Sequence, residues 1–271
     1  MRAAAALAAL LFVLPGLAIA GPRVMSLDQC ADQYVLALSP RHDIAALSTR
    51  ARNADSYLRA EAVGVPERRA TAESILGAAP QVVVRNWGGN ELLLTDLQRR
   101  GIRILTIEDS NDFAGISANI RRVAAGLDAV PAGERLIRLM NAELAAAAGA
   151  GRGRGVYYLT SGGDTAGPDV LVGAMIRAAG FANLDANPGY RAISLEALLL
   201  HPPSLFVLGF FDQDMSASER WSVGREAALR RLIAGRQSVS LPASILGCPA
   251  WFAADGAAAL AAWARTHPGG G

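Results

Sequence analysis

Thr71-Ala72-Glu73-Ser74-Ile75-Leu76, closed by Pro80 and followed by Val82-Val83-Val84, has a counterpart in the second half of the chain. There Ser194-Leu195-Glu196-Ala197-Leu198-Leu199 leads to Pro203 and then Leu205-Phe206-Val207. In both copies a hydroxyl residue stands at the N-cap position and Glu follows two residues later. Pro comes seven residues after the Glu, and an apolar run starts two after the Pro. The hydroxyl accepts an orphan N–H of the first turn, Pro stops the helix, and the short apolar run reads as a buried strand. One helix–turn–strand unit is thus written twice at one spacing, which points to two similarly built units.

Working outward, short β-branched runs alternate with amphipathic segments, the pattern of α/β units. Strands are expected at 23–26, 43–47, 81–85 and 102–107. Helices are expected at 26–38, where Ser26 and Gln29 have capping-box spacing, and at 71–79, 91–100 and 113–127. Residues 131–148 carry Leu136, Ile137, Leu139, Met140 and Leu144 at helical spacing, with Pro131 at the start and a glycine-rich stretch from Gly149. Such a helix would span about 27 Å and act as a stiff connector rather than a tether. The second half restarts with a strand at 156–159, a Ser161-Gly162-Gly163-Asp164 loop, a helix at 169–179 and a strand around Ile245-Leu246. The expected architecture is α/β. Two Rossmann-like lobes, 21–130 and 151–271, are joined by a single connecting helix at 131–150, with a ligand cleft between them.

The 271 residues are 52% hydrophobic and 18% charged, too apolar for a disordered chain. All 26 basic residues are Arg, and 24 acidic residues leave a formal charge of +2. Without a basic run, nucleic acid is not an expected partner. Residues 1–20 read as a secretory signal: Arg2, an apolar run from Ala3 to Leu14, a Pro15-Gly16 break, and Ala18-Ile19-Ala20 before the cleavage point. The run is short for a membrane span, so export to the periplasm without stable membrane insertion is expected. Cys30 and Cys248 would then share an oxidising compartment, as one disulfide or as two thiols.

The templates of common enzymes are missing. Gly151-Arg152-Gly153-Arg154-Gly155 lacks the Lys of a phosphate loop, and no G-x-S-x-G or H-E-x-x-H occurs. Of the three His, His201 precedes Pro202-Pro203 and His267 is near the end, so neither is placed as a base; no metal site or cofactor is expected. Aromatic residues instead follow strand ends, where an open α/β sheet binds its ligands. Trp87 lies in Asn86-Trp87-Gly88-Gly89-Asn90, a setting that suits a cleft better than a core. Phe210-Phe211 and Trp251-Phe252 follow later strands, and Tyr190-Arg191 precede the second repeated helix. Arg50 and Arg52, after the second strand, can bind carboxylates.

The run Gln81 to Asn90 resembles the strand and loop of periplasmic cobalamin-binding proteins. So do the opening Arg23-Val24-Met25-Ser26-Leu27, the repeated Glu-to-Pro spacing and the long connector. The resemblance covers about residues 22–263. It implies a two-lobe carrier for an ABC importer of cobalamin, ferric siderophores or haem, with a metal chelate or corrinoid as transported ligand and a haem carrier as an alternative. An exported α/β hydrolase is the alternative from another class. The ligand would meet Trp87, Asn86, Arg50, Tyr190, Arg191, Phe210 and Trp251. In such carriers a Glu on each lobe docks onto Arg of the permease dimer, and Glu73 and Glu196 fall on those positions. A monomer is expected.

Overall fold

The computed structural model describes residues 21–200, 203, 205–212 and 231–268. The expected signal segment and His201 lie outside the described residues. β1 (Val24–Ser26) is the middle strand of a five-stranded sheet, flanked by β2 (Ile44–Ser48) and β4 (Val82–Arg85), with β3 (Glu67–Arg68) and β5 (Arg103–Thr106) at the edges. A second sheet has the order β11-β10-β6-β8, from β6 (Gly155–Thr160), β8 (Ala182–Asn183), β10 (Leu205–Gly209) and β11 (Gln237–Leu241). All pairings in both sheets are parallel. β1, β2 and β10 are buried along their whole length, as parallel strands covered on both faces must be. β7 (Asp164–Ala166) and β9 (Tyr190–Ala192) form a separate antiparallel pair.

The helices begin where the sequence offers a cap. Asp28 caps α1 (Gln29–Leu38), Thr71 caps α2 (Ala72–Ala78), Asn90 caps α3 (Glu91–Arg99) and Asp112 caps α4 (Phe113–Gly126). α5 (Val130–Ala147) carries Pro131 in its first turn and lies, in chain order, between the last strand of the first sheet and the first of the second. α6 (Leu171–Ala178), α7 (Leu195–Leu200), α8 (Ala243–Leu246) and α9 (Ala253–Thr266) complete the order. The repeated unit is present in both halves: α2 precedes β4 as α7 precedes β10. No helix among the described residues is long and apolar enough to cross a membrane.

Four expectations need correction. Ser26 does not cap α1, because it ends β1 and gives its hydroxyl to the Asp32 carboxylate; Asp28 is the cap. The second strand starts at Ile44, since Asp43 closes a 3₁₀ turn and accepts the Gly21 N–H. The helix expected from 169 starts at Leu171. Ile245-Leu246 are helical rather than a strand: the strand is β11, an edge strand whose polar, largely exposed Gln-Ser-Val-Ser face hides it, while Ile245 is the buried side of α8.

One apolar core runs through both halves. It joins Tyr34 of α1, Ile120 of α4 and Met140 of α5 to Met175 of α6 and to Phe252 and Leu260 around α9, all fully or almost fully buried. Burying each such side chain favours the folded state by about 1.5–3 kcal/mol. α5 packs against both α4 and α9. The open question of the cysteines is answered: Cys30, in the first turn of α1, is bonded to Cys248, with Cα atoms 5.4 Å apart. Beside it Tyr34 donates to the Pro249 carbonyl (2.6 Å), and Tyr57 stacks on Phe252 (centroids 4.2 Å) and donates to the Asp255 carboxylate (2.6 Å).

Candidate functional site

In a parallel sheet the chain leaves every strand at the same edge, so the loops after β1, β2, β4 and β5 gather there. A cavity of about 350 Å³ lies there, lined by Asp109, Ser110 and Asn111 of the loop after β5 and, from the second half of the chain, by Tyr190, Cys248 and Pro249. The disulfide therefore lies in the wall of this cavity.

The loop after β4 carries the aromatic group. The Asp28 carboxylate reaches across from the end of β1, accepting the N–H groups of Asn86 (2.8 Å), Trp87 (3.2 Å) and Gly88 (2.8 Å). Arg85 Nε donates to the Gly88 carbonyl (2.7 Å). Gly88 packs so closely that a Cβ there would lie 2.6 Å from the Leu27 carbonyl oxygen. Held in this way, the Trp87 indole is 54% exposed. The Arg50 guanidinium lies 5.9 Å from the centre of the indole ring, within cation–π range. Gln29 Oε1 accepts from Arg50 Nε (3.1 Å), so the cation is steered by the first residue of α1. Asn86 Nδ2 donates to the Ile107 carbonyl (2.8 Å) and to Asp109 (3.3 Å), tying the Trp87 loop to the loop that lines the cavity.

Beneath these loops Asp32 is fully buried and fastens β1 to β2. It accepts from Ser26 Oγ, from the Ser48 N–H (2.8 Å) and from Ser48 Oγ (2.6 Å). Burial pushes its carboxyl up to about 6, against the opposing pull of these hydrogen bonds.

The residues singled out from sequence are distributed as follows. Trp87, Asn86 and Arg50 stand together at the edge of the first sheet, and Tyr190 faces the cavity from β9. Arg191, next to it, is engaged by the buried carboxylate of Asp185, and Arg52 forks onto Glu67 (2.6 and 3.3 Å). Phe210 is half-buried just past β10 with φ of 64°. Trp251 packs edge-on against Tyr34 (5.8 Å) and against Phe252 (5.3 Å), in the joint between the halves. Glu73 and Glu196 are exposed in the first turns of α2 and α7. Sequence reasoning missed the contact of Gln29 with Arg50 and both roles of Asp28. It also missed the 109–111 loop, whose only signal was a polar run after a strand. Among the described residues no group of three or more His, Cys, Asp or Glu could hold a metal ion.

No protein-family model matches the chain. In sequence it is similar to a cobalamin-binding protein of Halobacterium salinarum, 26% identical in an alignment 227 residues long that covers 78% of this chain and 60% of that protein. The chain thus spans less than two thirds of that relative's length. In structure it is similar to the periplasmic haem-binding protein RhuT from Roseiflexus sp. RS-1, with a TM-score of 0.69 and 22% identity over 90% of this chain and 98% of the other. It is also similar to an ABC-type Fe3+-hydroxamate transport protein of Saccharomonospora viridis, with a TM-score of 0.64 and 17% identity over 90% and 93%. The resemblance expected from the sequence is borne out in the fold: the chain has the architecture of periplasmic substrate-binding proteins.

Proposed function

We propose that this protein is a periplasmic carrier that binds an iron chelate or a corrinoid between two lobes and delivers it, unaltered, to an ABC importer. The observation that carries this reading is a cavity lined by residues from both halves of the chain, whose Asp109 is tied through Asn86 to the turn that bears the exposed Trp87 and its Arg50 partner. An indole face and a guanidinium suit a large, partly flat guest with peripheral carboxylate or carbonyl oxygens. In this reading residues 1–20 are a signal peptide cleaved after Ala20. The lobes are 21–130 and 151–271, and α5 is the stiff connector that limits their relative movement. The shared core and the inter-half disulfide support limited opening. From the second lobe Tyr190 and Phe210 complete the ligand surroundings, while Arg191 is held by Asp185 and Trp251 by Tyr34 and Phe252. The protein works as a monomer, without turnover.

Glu73 and Glu196 are the docking pair. Each is exposed in the first turn of a repeated helix, where two like charges held apart by a stiff body can read the geometry of a dimeric permease rich in Arg. The test is titration with cyanocobalamin, haemin and a ferric trihydroxamate, followed by tryptophan quenching. One of them binds at 1:1 stoichiometry and is recovered unchanged; turnover of a probe, or no binding of any, rejects the reading. The haemin arm decides whether the cargo is haem, which the likeness to RhuT favours. Glu73→Ala with Glu196→Ala keeps that affinity and abolishes stimulation of the permease ATPase; full stimulation by the double variant rejects the docking role.

A further inference from the structure

The Asp28 side chain is 1% exposed and its two oxygens face different parts of the chain. Oδ1 accepts the Ala31 N–H (2.9 Å) and caps α1. Oδ2 accepts three N–H groups from 86–88, almost sixty residues further along. A helix cap needs only the first of these. The three successive amides form a concave anion nest, and the anion filling it is internal. With the nest turned inward onto a buried carboxylate, the side chain of its middle residue, Trp87, is left facing out, 54% exposed and beside Arg50. Arg85 holds the same turn from its carbonyl side through Gly88.

We propose that Asp28 is a positioning residue for ligand binding: it fixes the 86–88 turn so that the Trp87 indole is presented to the cleft before any ligand arrives. This rests on the carrier reading above. The consequence is preorganisation, since a loop already in its bound conformation has little ordering entropy left to lose. Asp28 touches no ligand and acts through the backbone.

Two substitutions separate this role from helix capping. Asp28→Ser keeps an oxygen for the Ala31 N–H but is too short to reach 86–88. Asp28→Asn keeps the side-chain volume and turns an NH2 toward one of the two donor sets. Backbone amide exchange at 86–88 becomes at least tenfold faster in Asp28→Ser, while Ala31 and the β1 amides keep their protection. Affinity for whichever of cyanocobalamin, haemin and ferric trihydroxamate the unsubstituted protein binds falls at least tenfold in both variants. Unchanged exchange at 86–88 overturns the proposal, as does unchanged affinity once that exchange has accelerated. If the unsubstituted protein binds none of the probes, the carrier reading fails separately. Amide exchange, together with acrylamide quenching of the indole emission that Trp87→Phe removes, then decides the matter: a released turn changes both, and a turn that keeps both refutes the positioning role.

Discussion

The two sheets hold their strand-end aromatics by different means. In the first, Trp87 sits on a turn whose three amides converge on one buried carboxylate and whose Gly88 lies against the Leu27 backbone. In the second, Phe210 follows β10 in the left-handed region, at φ of 64°, where a non-glycine residue is strained by about 1 kcal/mol or more. Its carbonyl accepts from Ser161 Oγ (3.0 Å), and the nearby Asp212 carboxylate accepts the Ala243 N–H (3.0 Å). The first wall is therefore built around one buried carboxylate that gathers three amides and around close packing, and the second around a strained turn held by a serine hydroxyl and by a carboxylate that takes a single amide. The helix–turn–strand unit recurs, while the loops that follow its two strands are held by different contacts.

The joint between the walls is the first place to challenge this comparison. Replacing Cys30 and Cys248 by Ser removes a cross-link spanning 218 residues, and chain entropy sets the loss at up to about 5 kcal/mol, measured by urea unfolding. A loss under about 1 kcal/mol would mean that the shared core alone fixes the two halves. Gly88→Ala attacks the rigid wall itself. Its Cβ would meet the Leu27 carbonyl oxygen at 2.6 Å, so the turn must move, at a cost of about 3 kcal/mol. Asp32 tests the root of the same wall. With its carboxyl raised to about 6, the folded chain keeps a proton between about pH 4 and 6 that the unfolded chain releases. Stability therefore falls as pH rises through that window, by about 2 kcal/mol, and Asp32→Asn flattens the slope in urea titrations at pH 4.5 and 6.5. The smallest effect belongs to the strained wall: Phe210→Asn relieves the left-handed φ and loses part of a half-buried ring, for a net change below about 1 kcal/mol. A larger loss there would show that the second wall is packed as tightly as the first.

Much of the scaffold was legible because local signals agreed with the topology. The repeated Glu-to-Pro spacing marked α2–β4 and α7–β10, Thr71 marked the start of α2, and the expected ranges of α3 and α4 agree with the structure to within a residue. Trp87 stood out because Asn and two Gly flank it, and the exposed turn explains that composition. What escaped notice depends on which strands are neighbours. Asp28 is overshadowed in sequence by the capping-box spacing of Ser26 and Gln29, and only the pairing of β1 with β4 brings its second oxygen under the 86–88 turn. The edge strand β11 lacks an apolar run, and the apolar pair Ile245-Leu246 of α8 mimics one. Arg52 and Arg191 looked available because nothing local announces that Glu67 and Asp185 engage them. The disulfide was undecided for the same reason, since two cysteines so far apart pair only if α1 meets the end of the second sheet.

The central claim is that one ligand is held by both walls at once. Amide exchange on the purified protein, with and without whichever of cyanocobalamin, haemin or ferric trihydroxamate it binds, measures this directly. The account predicts that 86–88, 109–111 and 246–248 gain protection together at one equivalent of ligand, with the ligand recovered intact. Protection confined to the loops of one sheet, or at sites remote from the cavity lined by Asp109, Tyr190 and Cys248, would contradict it.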